Sequence, residues 1–292
     1  MLDQIDAALS LVDRYNRWKS KRTEPSVEPL PARFVRLFEA HGVHRNQIPR
    51  AFGHGVTLSD MRDNTALACK LDHEHLLHAS ELFGVELSWL ESGEGPAQER
   101  QNFYKQPQDF AQFIEALVDR VKETGRFVRG LILWPTAWDS ESEMVLLLAE
   151  PVGFLGHEVI ERFHWVSGGP PAYWRSRSYV ASQIALATHH NVILQGRKLP
   201  NKVLASAVVE PDLVGLPTFD RLRSSGKVFQ PEDWVVNPKS FLEDLDPERN
   251  NFGLTSSLRL WMDLEDQGLM PPPPGSSSAR SSFAQALRQL TD

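Results

Sequence analysis

The sequence predicts an α+β protein in which an all-α N-terminal bundle precedes a C-terminal domain with a small antiparallel sheet flanked by helices. Three observations predict it. Apolar residues recur at three- and four-residue steps as far as Phe83, with glycines at 42, 84 and 93 marking stops. Three short β-type runs, 127–134, 144–149 and 159–166, are joined by short connectors and bracketed by helical patterns. Proline-containing and polar stretches at 25–31 and 93–102 divide the two patterns.

Taken in order, residues 1–31 read as an amphipathic helix with a proline connector. Leu2, Ile5, Leu9, Val12 and Tyr15 share one helical face, and Pro25, Pro29 and Pro31 end it in a stiff, extended stretch. That face fits packing on its own domain or on a second copy. Residues 32–95 form the bundle, with helical pieces at 33–40, 46–52 and 57–62, a longer helix at 72–83, and a closing piece after Val85. Residues 96–102 read as a linker. Residues 103–270 carry a helix at 107–123, the three strand runs, a helix at 172–190, a short strand at 192–194 and a helix at 201–209. A further helix spans 255–267. Residues 271–292 read as a flexible tail, Pro271–Pro274 and Ser276–Ser278 ahead of a short stripe of Phe283, Leu287 and Leu290 that offers a protein partner a docking segment.

Composition narrows the function classes. At 292 residues, with charged residues at 24% and hydrophobic ones at 41%, the chain has the make-up of a globular protein with room for two domains. Its one cysteine, Cys69, excludes an internal disulfide and, between Leu67 and Leu71, is expected to be buried; a cytoplasmic location and no membrane span are expected. The net charge of −7 argues against unspecific coating of nucleic acid. The charge is unevenly placed, however. Residues 14–62 hold ten Arg and Lys against four acids, whereas 63–99 hold one Lys against eight acids, so any attraction for phosphate is local.

No catalytic residues, metal ligands or cofactor are expected. His157, Glu158, Glu161 and His164 gather near the third strand run, but Glu161 and His164, three apart, fall on opposite sheet faces. His73, His75 and His78 have no cysteine partners at zinc spacing and are expected to be solvated. Tyr173, Trp174, Arg175 and Arg177 make the candidate ligand or interface cluster of the second domain, because aromatic and Arg side chains are enriched at such surfaces.

The run Leu82-Phe83-Gly84-Val85, then Trp89-Leu90, then Ser92-Gly93-Glu94-Gly95, resembles the closing helix and tail of phage-repressor-like (Cro/CI, XRE-type) helix-turn-helix domains. The pattern over 33–61 is similar to the same domain. The resemblance implies a cytoplasmic transcriptional regulator that binds double-stranded DNA as a homodimer, with no chemistry on the DNA. It implies a reading helix at 57–62, with Thr57 and Asp60 as a capping box, Leu58 and Met61 inward, and Thr57, Ser59 and Arg62 approaching bases. Arg33, Arg36, Arg45, Gln47 and Arg50 would then hold phosphates. Pro49 in the first short helix, the long Gly53-His54-Gly55 turn and Asp63 also fit a second reading, a protein-interaction adaptor whose helix-turn-helix does not bind DNA.

Overall fold

A computed structural model describes residues 28–136, 143–170, 173–204, 213–243, 245 and 247–291. The helix expected at 2–18, its Pro25 end and residues 205–209 of the helix expected at 201–209 lie outside the described residues. The molecule is mixed α and β, and among the described residues its sheet has six strands rather than three or four.

The first helix, α1 (Leu30–Ala40), starts with Pro31 in its first turn, where the missing N–H goes unused. Its buried Phe34, Leu37 and Phe38 form one stripe. Two short pieces follow, a 3₁₀ turn (Arg45–Gln47) and α2 (Ile48–Ala51). After a 3₁₀ turn at Asp60–Arg62 come α3 (Asn64–Lys70), α4 (His73–Phe83) and α5 (Leu87–Ser92). Asp63 and Asp72 accept hydrogen bonds from Ala66 N–H and His75 N–H, capping α3 and α4. The rings of Phe34, Phe38, Phe52 and Phe83 lie 5.0–5.7 Å apart and fill the middle of the bundle. Cys69 is exposed, not buried, because Leu67 takes the inward face of this two-turn helix.

The sheet order is β1-β4-β3-β2-β5-β6, from β1 (Arg100–Asn102), β2 (Arg129–Pro135), β3 (Met144–Leu155), β4 (Glu158–Gly169), β5 (Ile193–Leu199) and β6 (Lys227–Phe229). The β2–β3–β4 meander is antiparallel, as is β5–β6, while β1 pairs with β4 and β5 with β2 in parallel. The parallel β2–β5 pair requires a crossover, supplied by α7 (Trp174–His189). Side chains alternate through the pleat. Ile132, Trp134, Leu146, Leu148 and Val166 join α6 (Pro107–Val121) and α7 in one core. Leu131, Leu133, Val145, Leu147, Phe163 and Trp165 face the other way, onto Phe219 and Leu222 of α8 (Leu216–Ser224). Both faces are covered, so the strands read as continuous apolar runs.

The bundle and the sheet are joined without a free linker. Residues 96–102 are part of the fold: Ala97 is buried, its carbonyl accepts from Glu86 N–H at 2.8 Å, and residues 100–102 are β1. Gln98 exchanges two hydrogen bonds with the Val214 backbone, at 2.8 and 3.3 Å. Leu155 and Ile160, at the tip of the β3–β4 hairpin, belong to the bundle core. Gly215 meets the backbone of α1, where an added Cβ would stand 2.3 Å from the Ala40 carbonyl oxygen.

The stretch expected to be a flexible tail is also ordered against the protein. After the short α9 (Asp233–Val236) and α10 (Pro238–Phe241), α11 (Pro247–Asp266) and α12 (Arg280–Thr291) pack together. Phe283 is fully buried, its ring stacked on Trp261 at 3.8 Å. Arg280 pairs with Glu265 at 3.0 Å and Asp266 at 2.8 Å. Phe283→Ala is therefore expected to lower unfolding free energy by about 3–5 kcal/mol, the range for emptying a buried Phe site. Urea unfolding measures it; a loss under about 1 kcal/mol would contradict the docked placement of α12.

Candidate functional site

The residues expected to meet DNA divide into structural and exposed groups. Arg33 is only 2% exposed: its Nε donates to the Leu90 carbonyl at 2.9 Å and its Nη2 to the Glu91 carbonyl at 2.8 Å, so it ties α1 to the end of α5. A surface phosphate role for Arg33 is thereby corrected. Arg36 lies over the Trp89 ring and pairs with Glu28 at 2.8 Å. Arg45 donates to the Met61 carbonyl at 2.7 Å and to Asn64 Oδ1 at 2.9 Å, holding the 45–51 pieces against the 57–64 segment. Gln47 Oε1 accepts from His44 N–H, completing a capping box. Arg50, Thr57, Ser59 and Arg62 are exposed, and Arg62 pairs with Asp63 at 3.0 Å.

No reading helix forms at 57–62. Thr57 and Asp60 do make the expected reciprocal contacts: the Asp60 carboxylate accepts from Thr57 N–H at 2.8 Å and from the Thr57 hydroxyl at 2.7 Å. These bonds hold the Asp60 pKa below the usual carboxylate value. The cap leads only into the 3₁₀ turn, because Asp63 is extended and starts α3. Met61 points inward as expected, whereas Leu58 precedes the turn and is 67% exposed.

At the junction of bundle and sheet sits a polar cluster that sequence reasoning missed. Glu150 of β3 is 1% exposed. Burial alone would raise its pKa. Hydrogen bonds from His164 and Arg120, with the charge of Arg162, outweigh that and hold it at about 2. The contacts are 2.6 Å to His164 Nε2, 2.8 Å to Arg120 Nε and 2.7 Å to Arg162 Nη2. Arg162 lies opposite Glu150 in the β3–β4 register and its Nη1 also donates to the Glu81 carbonyl of α4. A cavity of about 460 Å³ opens beside it, lined also by His54 and His78, whose rings stack at 4.2 Å. Against the expectation of solvated histidines, His75 is buried, bonded to Asp72 and to the His54 carbonyl. On the opposite sheet face Glu161 pairs with Arg129. That pair lines a cavity of about 610 Å³ with Phe127, Leu155, Ile193 and Leu216. Strand register brings these charges together, and no local sequence pattern announces it. Among the described residues no group of three or more His, Cys, Asp or Glu could hold a metal ion. No described helix is long and apolar enough to cross a membrane.

The cluster expected at 173–177 splits. Trp174 and Arg175 line an open cleft of about 420 Å³, with Tyr173 on the exposed side of the same turn. Arg177 does not join them. It is fully buried between the Trp134 and Trp234 rings and donates to the carbonyls of Phe241 and Glu243 at 2.6 and 2.8 Å, so its role is structural.

His41, at the end of α1, is 2% exposed and stacks on Phe83 at 4.1 Å. Burial pushes its pKa from 6.5 to about 4, against a smaller opposing effect of its hydrogen bond to the Leu37 carbonyl. The folded protein therefore keeps this ring neutral where the unfolded chain protonates it. Its contribution to stability is complete above pH 6.5 and falls away as pH drops toward 4, by about 3 kcal/mol at about 1.4 kcal/mol per pH unit. Urea unfolding at several pH values is expected to show this slope, and His41→Phe to flatten it; an unchanged slope in the variant would assign it to other groups.

No protein-family model, curated protein or solved structure matches the chain.

Proposed function

We propose that the protein is a transcriptional regulator that binds duplex DNA as a dimer through the corner formed by Arg45, Arg50 and residues 57–62. The sheet half then serves oligomerisation or senses a ligand or partner. The observation that supports this is the joint exposure of Arg50, Thr57, Ser59 and Arg62 on two segments that Arg45 holds side by side. The nearby acids are engaged locally, Asp60 by Thr57 and Asp63 by the first turn of α3. Arg62 must leave Asp63 to meet a base, but an exposed ion pair is worth only about 0–1 kcal/mol. A bidentate guanine contact is worth about 1–3 kcal/mol, so the exchange is favourable.

The second reading, a protein-interaction adaptor, is favoured by one specific feature: the 3₁₀ turn at 60–62 is too short to enter a major groove as a helix does. Mobility shifts with fragmented genomic duplex at several salt concentrations separate the two. For the regulator, the wild-type chain binds, Arg50→Ala weakens every fragment alike and lowers the salt slope, and Arg62→Ala relaxes fragment preference. Absence of duplex binding at low salt, or indifference to both substitutions, would remove the regulator reading in favour of the adaptor.

A further inference from the structure

The cleft at the start of α7 carries a chemistry that the duplex-binding corner does not use. Its lining is Lys105, Trp174, Arg175, Tyr179, Ser256, Arg259, Leu260 and Asp263. Three cations thus face one carboxylate. Lys105, Arg175 and Arg259 have no carboxylate within ion-pair distance among the described residues. Elsewhere in this acidic chain the arginines beside carboxylates, such as Arg120, Arg129 and Arg162, are paired. Three cations against one carboxylate give this concavity a local positive excess in a chain whose net charge is −7.

Aromatic surface is interleaved with these charges. Arg175 lies 4.8 Å from the Trp174 ring centre and Lys105 lies 5.1 Å from that of Tyr104. Tyr104 packs edge-on to Tyr179 at 5.7 Å, and its ring centre lies 6.5 Å from that of Tyr173. Burial and the neighbouring Tyr173 push the Tyr104 pKa up to about 12. Lys105 is held at φ 61, in the left-handed region that a lysine rarely adopts, between the Asn102 side-chain bond to Tyr104 N–H and the start of α6. The positive end of the α7 dipole points the same way in charge.

From this arrangement we infer that the cleft of Lys105, Trp174, Arg175, Tyr179 and Arg259 binds a nucleoside phosphate, as a free nucleotide or as a unit of a single strand. The base stacks on the aromatic wall of Trp174 and Tyr179, and the phosphate meets the ammonium and guanidinium groups around it. Stacking is indifferent to base identity, and the cations read only phosphate, so little sequence preference is built in. Inorganic phosphate would use the cations and leave the aromatic wall and Leu260 unused. The cleft volume falls in the range of small-ligand sites. The inference is independent of the duplex reading, because no residue is shared between the two surfaces.

The test uses the full chain. Titration calorimetry follows AMP and inorganic phosphate, and anisotropy follows a fluorescein-labelled single-stranded oligothymidylate. AMP or the oligonucleotide is expected to bind more tightly than phosphate. The Lys105→Ala/Arg259→Ala double variant alters two exposed side chains, so folding, checked by circular dichroism, should be intact. It is expected to bind about ten-fold or more weakly and with a shallower salt dependence. Trp174→Leu is expected to lose about five-fold or more, the effect of removing one stacking partner. Arg50→Ala/Arg62→Ala, at the duplex corner, should leave AMP binding unchanged. AMP binding without oligonucleotide binding identifies a free nucleotide; an oligonucleotide that outcompetes AMP identifies a strand. Failure of both to bind, phosphate binding as tightly as AMP, or a Lys105→Ala/Arg259→Ala variant that binds like wild type would overturn the proposal.

Discussion

A single carboxylate at the seam of the molecule constrains most of what surrounds it. Glu150 is withdrawn from water, and an unpaired charge there would destabilise the fold by several kcal/mol. It is tolerated because two elements deliver three partners to it: Arg120 from α6, and Arg162 and His164 from β4. Those partners also fix the pairing of the two longest strands. Slipping β4 by one residue would turn Arg162 and His164 to the opposite face and strand the carboxylate among apolar side chains. The charge cluster and the apolar alternation of the hairpin therefore select the same register.

The same guanidinium reaches beyond the sheet. Arg162 bonds to the Glu81 carbonyl near the end of α4, and Gly84 beyond it, at φ 64, leaves the space its side chain crosses. With Leu155 and Ile160 inserted in the bundle core and Gln98 bonded to Val214, the helices at 30–92 are mounted on the hairpin tip. An event that moves the hairpin also moves the bundle. This gives the regulator reading a physical route from the sheet half to the exposed corner at 57–62.

How far the sequence could be read varied by level. The helices at 30–40, 73–83, 107–121 and 174–189 were legible from apolar spacing, with glycine following the first three, proline opening the first and third, and Asp72 capping the second. The three meander strands were legible from their apolar runs, but β1 and β6 are three residues long and carry no such pattern. At 57–62 the capping signal of Thr57 and Asp60 was real, yet a second cap at Asp63 takes over after one turn. The polar linker was misread because composition does not reveal the pairing of residues 100–102 with β4, more than sixty residues along the chain. The Glu150 cluster, Arg33 and Arg177 share that difficulty. Each is a charged side chain whose burial depends on carbonyls or strands distant in sequence. In the aromatic cluster, Trp174 and Arg175 reach the cleft surface while Arg177, two residues on, turns into the core along the helix.

The plane-to-plane stack of Phe283 on Trp261 bears on how this protein is made. Trp261 and Phe241 belong to the same apolar core as the sheet, and Phe283 closes it. A growing chain that has emerged only as far as α11 still presents an open hollow around the indole. Translation must continue past position 283 before that half can seal, so the nascent protein stays adhesive long after its strands have been synthesised.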